Sequence, residues 1–314
     1  MSLNVTNGRR DLALAFVAFV VAFALWQVAA LSFMMYPFRL FVTIIHELGH
    51  GLSALLTGGE FVEFEVSKNG AGLAKTRPGA RFIIIQAGYL GTAIFGALLL
   101  FATNRTKRPG MVAIVVGMFI AILTLLFSGI SVSQLGLFET VIVVALIIVS
   151  LFLILTRETD EGRYVGLGVG ALAGAGLLLF AGGNQDNTLL TVVTGVSSGV
   201  ALILLGYFAT REAVVVTLNF LAFLTGLQAI TDAWVLLKIV SLPESLIPNN
   251  DASSMAREFW GPAGMWAMIW IMLDVLIFGA AVYFTFIHPM RQQAIGTGSA
   301  AEEAKTAEPE SVPG

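Results

Sequence analysis

Nine apolar runs of roughly bilayer-crossing length, joined by short polar loops, leave this chain few ways to fold. They are 12–35, 38–57, 80–102, 110–129, 137–156, 163–182, 188–209, 213–240 and 263–287. Hydrocarbon offers no partner for a free backbone N–H or C=O, so a run of about 20 apolar residues crosses it as a helix. Only 12% of the 314 residues are charged and 57% are hydrophobic, whereas a soluble domain carries roughly 25% charged residues. The expectation is an all-α polytopic membrane protein with eight or nine transmembrane or re-entrant helices, the count depending on how 188–240 divides. The run 12–35 follows Arg9-Arg10 and is too long for a cleaved leader, so it reads as a retained helix. Residues 1–288 form one integral-membrane domain on this reading. Residues 289–314, rich in Gly, Ser, Ala and Glu, form a polar tail expected to be disordered. A net charge of −3 with no basic patch speaks against nucleic acid as a partner.

The second run carries chemistry. His46-Glu47-Leu48-Gly49-His50 lies inside the apolar stretch 41–56 and holds two of the chain's three histidines. On a helix this spacing puts two imidazoles one turn apart on one face, where they can bind a single zinc ion. Glu47 stands beside them, placed as the general base toward a water on the metal. Ionisable groups are costly in a membrane and usually functional there. With no cysteine in the chain, any further ligand is a histidine or a carboxylate. The pattern points to peptide-bond hydrolysis at membrane depth.

The third ligand comes from elsewhere in the chain. His288, next to Pro289, reads as an interfacial residue. Of the six aspartates, Asp11, Asp160 and Asp186 sit in polar flanks. That leaves Asp232 as first choice, being inside an apolar span and needing a partner. Asp251 is second choice, although a helix N-cap role alone would explain it. Asp274, in the last run, comes third.

One segment breaks the helical pattern. Glu60 to Val66 alternates polar and apolar residues, Ser67-Lys-Asn-Gly70 carries a turn signal, and a short second run follows from Gly72 to Thr76. This reads as a β-hairpin over 60–76, beside the motif helix 38–57, with an edge that an extended peptide could join as substrate. Small residues recur at four-residue spacing in Gly49-Ser53-Thr57, Gly88-Thr92-Gly96 and Gly162-Gly166-Gly170-Gly174, which lets helices approach closely. The basic loops 103–109 and 157–163 and Arg211 fall on one side by parity and are expected to be cytoplasmic. Arg9-Arg10 then falls outside, unless the motif helix or the hairpin re-enters.

The segments 46–59 and Gln86-Ala-Gly-Tyr-Leu-Gly-Thr92, followed by Asp232, Asn250 to Ala256 and tryptophans 260, 266 and 270, resemble the site-two protease family of intramembrane zinc metallopeptidases. The resemblance is closer to its compact bacterial, M50B-like branch. It implies Zn2+ as cofactor, a membrane-protein or peptide substrate, a multi-pass location in a bacterial plasma membrane, and a third ligand from a late aspartate. In better-known members that aspartate is followed by glycine; here Asp232 and Asp251 are both followed by alanine. Two rivals remain: a non-catalytic membrane protein that keeps the metal site for binding or regulation, and a transporter built on Asp232 and Asp274.

Overall fold

The computed structural model describes residues 5–27, 32–129, 187–240 and 249–292. Its elements are α1 (Val5–Gln27), α2 (Ser32–Leu56), β1 (Glu60–Val66), β2 (Gly72–Arg77), α3 (Arg81–Arg105), α4 (Pro109–Phe127), α5 (Asn187–Phe208), α6 (Arg211–Ile239), α7 (Asp251–Glu258) and α8 (Ala263–Val282). A π-helical turn over Tyr283–Ile287 continues α8. Among the described residues, five helices are long and apolar enough to cross a membrane: α3, α4, α5, α6 and the α8 rod, which runs to Gln292. The chain is an integral membrane protein, mostly helical, with one small sheet. The expected spans 137–156 and 163–182, the 162–174 glycine stripe and the tail beyond 292 lie outside the described residues.

The first two expected runs divide differently in space. Ser32 to Met35, read from sequence as the end of the first span, instead opens the motif helix α2, which passes through Pro37. Proline removes only one N–H from the helical ladder and clashes with one carbonyl a turn earlier, a loss that membrane helices tolerate when neighbours take up the freed groups. The result is a 25-residue helix. It carries the motif near its middle.

Close approaches and buried polar pairs hold the helices together, as expected where lipid is as apolar as the side chains. α4 and α5 meet along glycines: a Cβ on Gly117 would overlap the Gly199 carbonyl, and one on Gly199 the Gly117 carbonyl. α3 and α6 are joined by Asn104 and Asn219, whose amides bond at 2.7 Å. α1 lies on α6 through Phe19 and Phe223, edge to face at 5.4 Å.

The hairpin forms as the alternation requires. β1 and β2 pair antiparallel from Glu60↔Arg77 to Val66↔Gly72, with an irregularity between Phe61 and Glu63. Gly70 turns the chain with φ +85°, and the Asn69 side chain accepts the Ala71 N–H at 2.9 Å. Phe61, Phe64 and Val66 are buried; Phe61 stacks on Phe127 of α4 at 4.3 Å. Truncating either phenylalanine would cost about 3–5 kcal/mol. Val66 N–H is donated away from β2 to Thr191 Oγ1 at 2.7 Å, which ties the outer side of β1 to α5. On the other side, β2 touches α2 at Glu47 through Gly72, and its residues stay exposed or half-buried.

Candidate metal centre

Residues 39, 43, 46 and 50 of α2 fall on one helical face and line a cavity of about 530 Å³ together with β2, the start of α3, α6 and α7. His46 and His50 hold their rings edge to face, centroids 4.9 Å apart. The Nδ1 of His50 lies 2.7 Å from the Ile84 carbonyl oxygen, so Nδ1 carries the proton and donates it. Nε2, the nitrogen that a metal would take, thereby faces the cavity, the arrangement a ligating imidazole needs. His46 packs edge-on against Tyr89 at 4.8 Å, and Tyr89 stacks on the buried Trp270 at 4.9 Å.

α3 approaches this pair closely because residue 88 is glycine. A Cβ there would stand 2.5 Å from His50 Nε2 and would overlap His46 Nε2. Gly49, on the motif helix at the same crossing, lets the α3 backbone in at Ala87, and its Cβ position lies 3.5 Å from Gly88 Cα. The four-residue spacing seen in the sequence signals this crossing. It gives no hint that Gly88 itself faces the imidazoles, or that Gly96, in the same stripe, faces α6 at Thr225.

Asp251 completes the cluster. Its Oδ2 lies 3.3 Å from His46 Nε2 and 3.4 Å from His50 Nε2. One ligand atom from each of the three residues falls within 4.8 Å of the others. Among the described residues this is the group of three His, Asp or Glu side chains that could hold an ion. Burial pushes the Asp251 carboxyl up, but the imidazoles of His50 and His46 outweigh it and hold the group well below the usual carboxylate range. The N-cap role considered for Asp251 belongs to its neighbour: Asn250 Oδ1 accepts Ser253 N–H at 2.9 Å, and the Ser253 hydroxyl returns to the Asn250 backbone. Asp251 is the first residue inside α7, and its carboxylate is left to the site.

The other sequence candidates stand apart from this group. Asp232, the first choice for third ligand, lines the same cavity from α6, with Gln228 Nε2 3.4 Å from its Oδ1. Gln228 precedes it by one helical turn and supplies the partner that an aspartate in an apolar span requires. Asp274 is fully buried in α8. His288 sits beside Tyr283 and Phe284, just past the π-helical turn of the same rod.

Glu47 is buried next to the cluster. The backbone N–H of Ala74 in β2 faces its carboxylate, and a Cβ on Gly72 would overlap its Oε1. The hairpin therefore positions the acid as well as lying beside it. Thr43 Oγ1 donates to the Gly70 carbonyl at 2.9 Å and fixes the hairpin turn on α2.

α7 has only eight residues, and its docking is built from parts sequence reading did not pick out. Ala252 and Met255 are buried in a cluster with Ile85, Leu236, Trp266 and Trp270. At the rim, Arg81 of α3 grips Glu258 with two N–H groups, Nε to Oε2 at 2.9 Å. Phe82 meets Phe259 edge to face at 5.2 Å. The first two turns of α3 thus contact both halves of the cluster, the histidine pair and the helix bearing the aspartate.

The family model for M50B-like peptidases matches residues 14–177. That stretch contains His46, Glu47, His50, the hairpin and Gly88, and ends before Asp232 and Asp251. No curated protein and no solved structure matches the chain. With over half of its length matched, around a His-Glu-x-x-His helix in a membrane-spanning bundle, the chain belongs to the M50B-like peptidase family.

Proposed function

We propose that this protein is a zinc-dependent intramembrane endopeptidase that cleaves peptide bonds in or next to transmembrane segments of membrane-protein substrates. We further propose that it works in a bacterial plasma membrane, as the compact M50B-like branch would. The observation that carries the reading is the convergence of two imidazole nitrogens and one carboxylate oxygen beside a buried, oriented glutamate.

The donor set fits zinc. Two neutral imidazoles and a carboxylate are ligands that catalytic zinc accepts while keeping a position open. His50 is held in the ligating tautomer by Ile84, and Gly88 leaves room where the two Nε2 atoms converge. His46, His50 and Asp251 would hold the ion. Zinc bound there supplies Lewis-acid chemistry, bringing the pKa of water to about 7 and polarising a carbonyl oxygen.

Glu47 handles the proton. Its carboxylate accepts one from the attacking water as the oxygen bonds to the scissile carbon, and passes it to the amide nitrogen as the C–N bond breaks. Ala74 N–H keeps the carboxylate turned to the site, and Gly72 leaves it space. A helical substrate hides its peptide bonds, so it must first unwind. Because Ala74 N–H points to Glu47, alternate residues 72, 74 and 76 of β2 present their backbone groups away from β1 and toward the cavity. An unwound stretch can join that edge as an added strand.

The test uses the full chain reconstituted in vesicles with single-pass peptides. Cleavage is expected, and a chelator should abolish it. Glu47→Gln should retain zinc while cleavage falls by about 10²–10⁴-fold. A Glu47→Gln protein that cuts at the wild-type rate would refute the proton-transfer role. Zinc retention by a wild type that cuts nothing would favour a binding role for the centre.

A further inference from the structure

Among the described residues, the cavity holds a cation without an ion pair. Arg39 lines it from the same face of α2 as His46 and His50, and its guanidinium is exposed. Its Nη2 donates to the Asn69 carbonyl at 3.3 Å, a long bond to a neutral group. Gly70 shapes this corner: a Cβ there would come to 3.0 Å from Arg39 Nη2. Among the described residues no carboxylate lies within ion-pairing distance of Arg39. Arg10 pairs with Glu212, Arg77 with Glu60 and Arg81 with Glu258, while Arg105 and Arg257, like Arg39, donate to neutral oxygens; of these unpaired arginines Arg39 lines the cavity. The acid across the cavity, Asp232, is near enough to feel the Arg39 charge but beyond ion-pairing distance, and its Oδ1 faces Gln228 Nε2. A charged group on an apolar helix is costly, and one kept without a counter-ion at a substrate cavity is placed to receive one.

Its position fixes what it can read. Arg39 precedes His46 by seven residues, roughly 10.5 Å along the helix axis. β2 runs beside α2 over this stretch: Gly72 and Ala74 lie at Glu47, and the turn at Gly70 lies at Arg39 and Thr43. A strand added to β2 advances about 3.3 Å per residue, so the same span takes roughly three residues of substrate.

We propose that Arg39 is a specificity-determining residue that binds a carboxylate of the substrate, a Glu or Asp side chain about two to four residues from the cleaved bond, on the side of the hairpin turn. This rests on the peptidase reading and on strand addition to β2. Arginine suits the task because its planar fork can take both oxygens of a carboxylate. Arg81 at the other end of the cavity is already occupied by Glu258, so the preference is one-sided.

Binding is measured without cleavage, by fluorescence anisotropy of labelled single-pass peptides on zinc-loaded Glu47→Gln protein in detergent. The peptides carry Glu, Gln or Lys at successive positions around the expected cut. Glu should bind about tenfold tighter than Lys at one position in the two-to-four window and show no preference elsewhere. Arg39→Gln should level that preference and Arg39→Glu should reverse it, with zinc content unchanged in both. Binding with no charge preference, or a preference that survives Arg39→Glu, overturns the proposal. If Arg39→Glu fails to fold, the peptide scan and Arg39→Gln still decide. Charge-selective binding by a wild type that cuts none of the peptides would sink the peptidase reading and leave the role of Arg39 standing.

Discussion

Gly88→Ala should harm the metal centre more than the stability of the fold. The added methyl would lie 2.5 Å from His50 Nε2, whereas ordinary contact begins near 3.4 Å, and it would overlap His46 Nε2 as well. Each ring would have to retreat by about 0.9 Å or more, while zinc–ligand distances tolerate only about 0.2 Å. His50 has little room to do so, since its Nδ1 is fixed on Ile84 and the ring is buried. Zinc affinity should fall by at least about 100-fold, more than the 10- to 100-fold usually lost with an outer-sphere partner. Helix propensity acts in the opposite direction, because alanine is better than glycine inside a helix by about 0.8–1.0 kcal/mol. Overpacking against the imidazoles costs about 1–3 kcal/mol with or without metal, so the metal-free protein should unfold at a slightly lower temperature. Competition with a chromophoric chelator gives the affinity, and thermal unfolding of the metal-free protein gives the stability. A Gly88→Ala protein that holds zinc within threefold of the wild type would refute the placing of the site at this crossing.

The two aspartates should separate cleanly. Asp251→Ala is expected to lower zinc affinity by more than about 100-fold and Asp232→Ala to leave it nearly intact, read as zinc content after gel filtration. The reverse result would restore Asp232 as third ligand. At the rim, Arg81→Glu or Glu258→Arg alone should weaken zinc binding by up to about fivefold, the most expected for a pair whose side chains are 46% and 36% exposed. The double exchange should recover the wild-type affinity to within about twofold. If it does not, the ion pair does not position α7.

Local pattern was legible in the sequence wherever it decided structure. The Asn-Gly turn between alternating runs gives the hairpin, and His-Glu-x-x-His inside an apolar run gives the helix face with its two imidazoles. Which aspartate meets the histidines in space was less legible, for a reason visible at Asp232 and Asp251. Sequence shows that an aspartate in an apolar span needs a partner, but not that Gln228 is already there. It also shows two good N-cap residues in succession, Asn250 and Asp251. Only the geometry shows that Asn250 takes the cap and frees the aspartate. The boundary between the first two runs fails similarly, because Pro37 looks like a helix boundary and is instead accommodated within one. Arg81, Phe82 and Gly88 carry no signal of their role, since each acts on residues distant in sequence.

The centre also has a history within each molecule. His46 and Asp251 are 205 residues apart, and the histidine pair is made long before the helix that brings the carboxylate. At roughly 5–20 residues per second, a ribosome needs about 10–40 s to cover that interval. During that time the nascent chain carries two imidazoles and Glu47 without the residue that completes the set. The order of synthesis thus acts as a timer, and the centre is assembled only once residue 251 has been added, after α1 to α6 have been made.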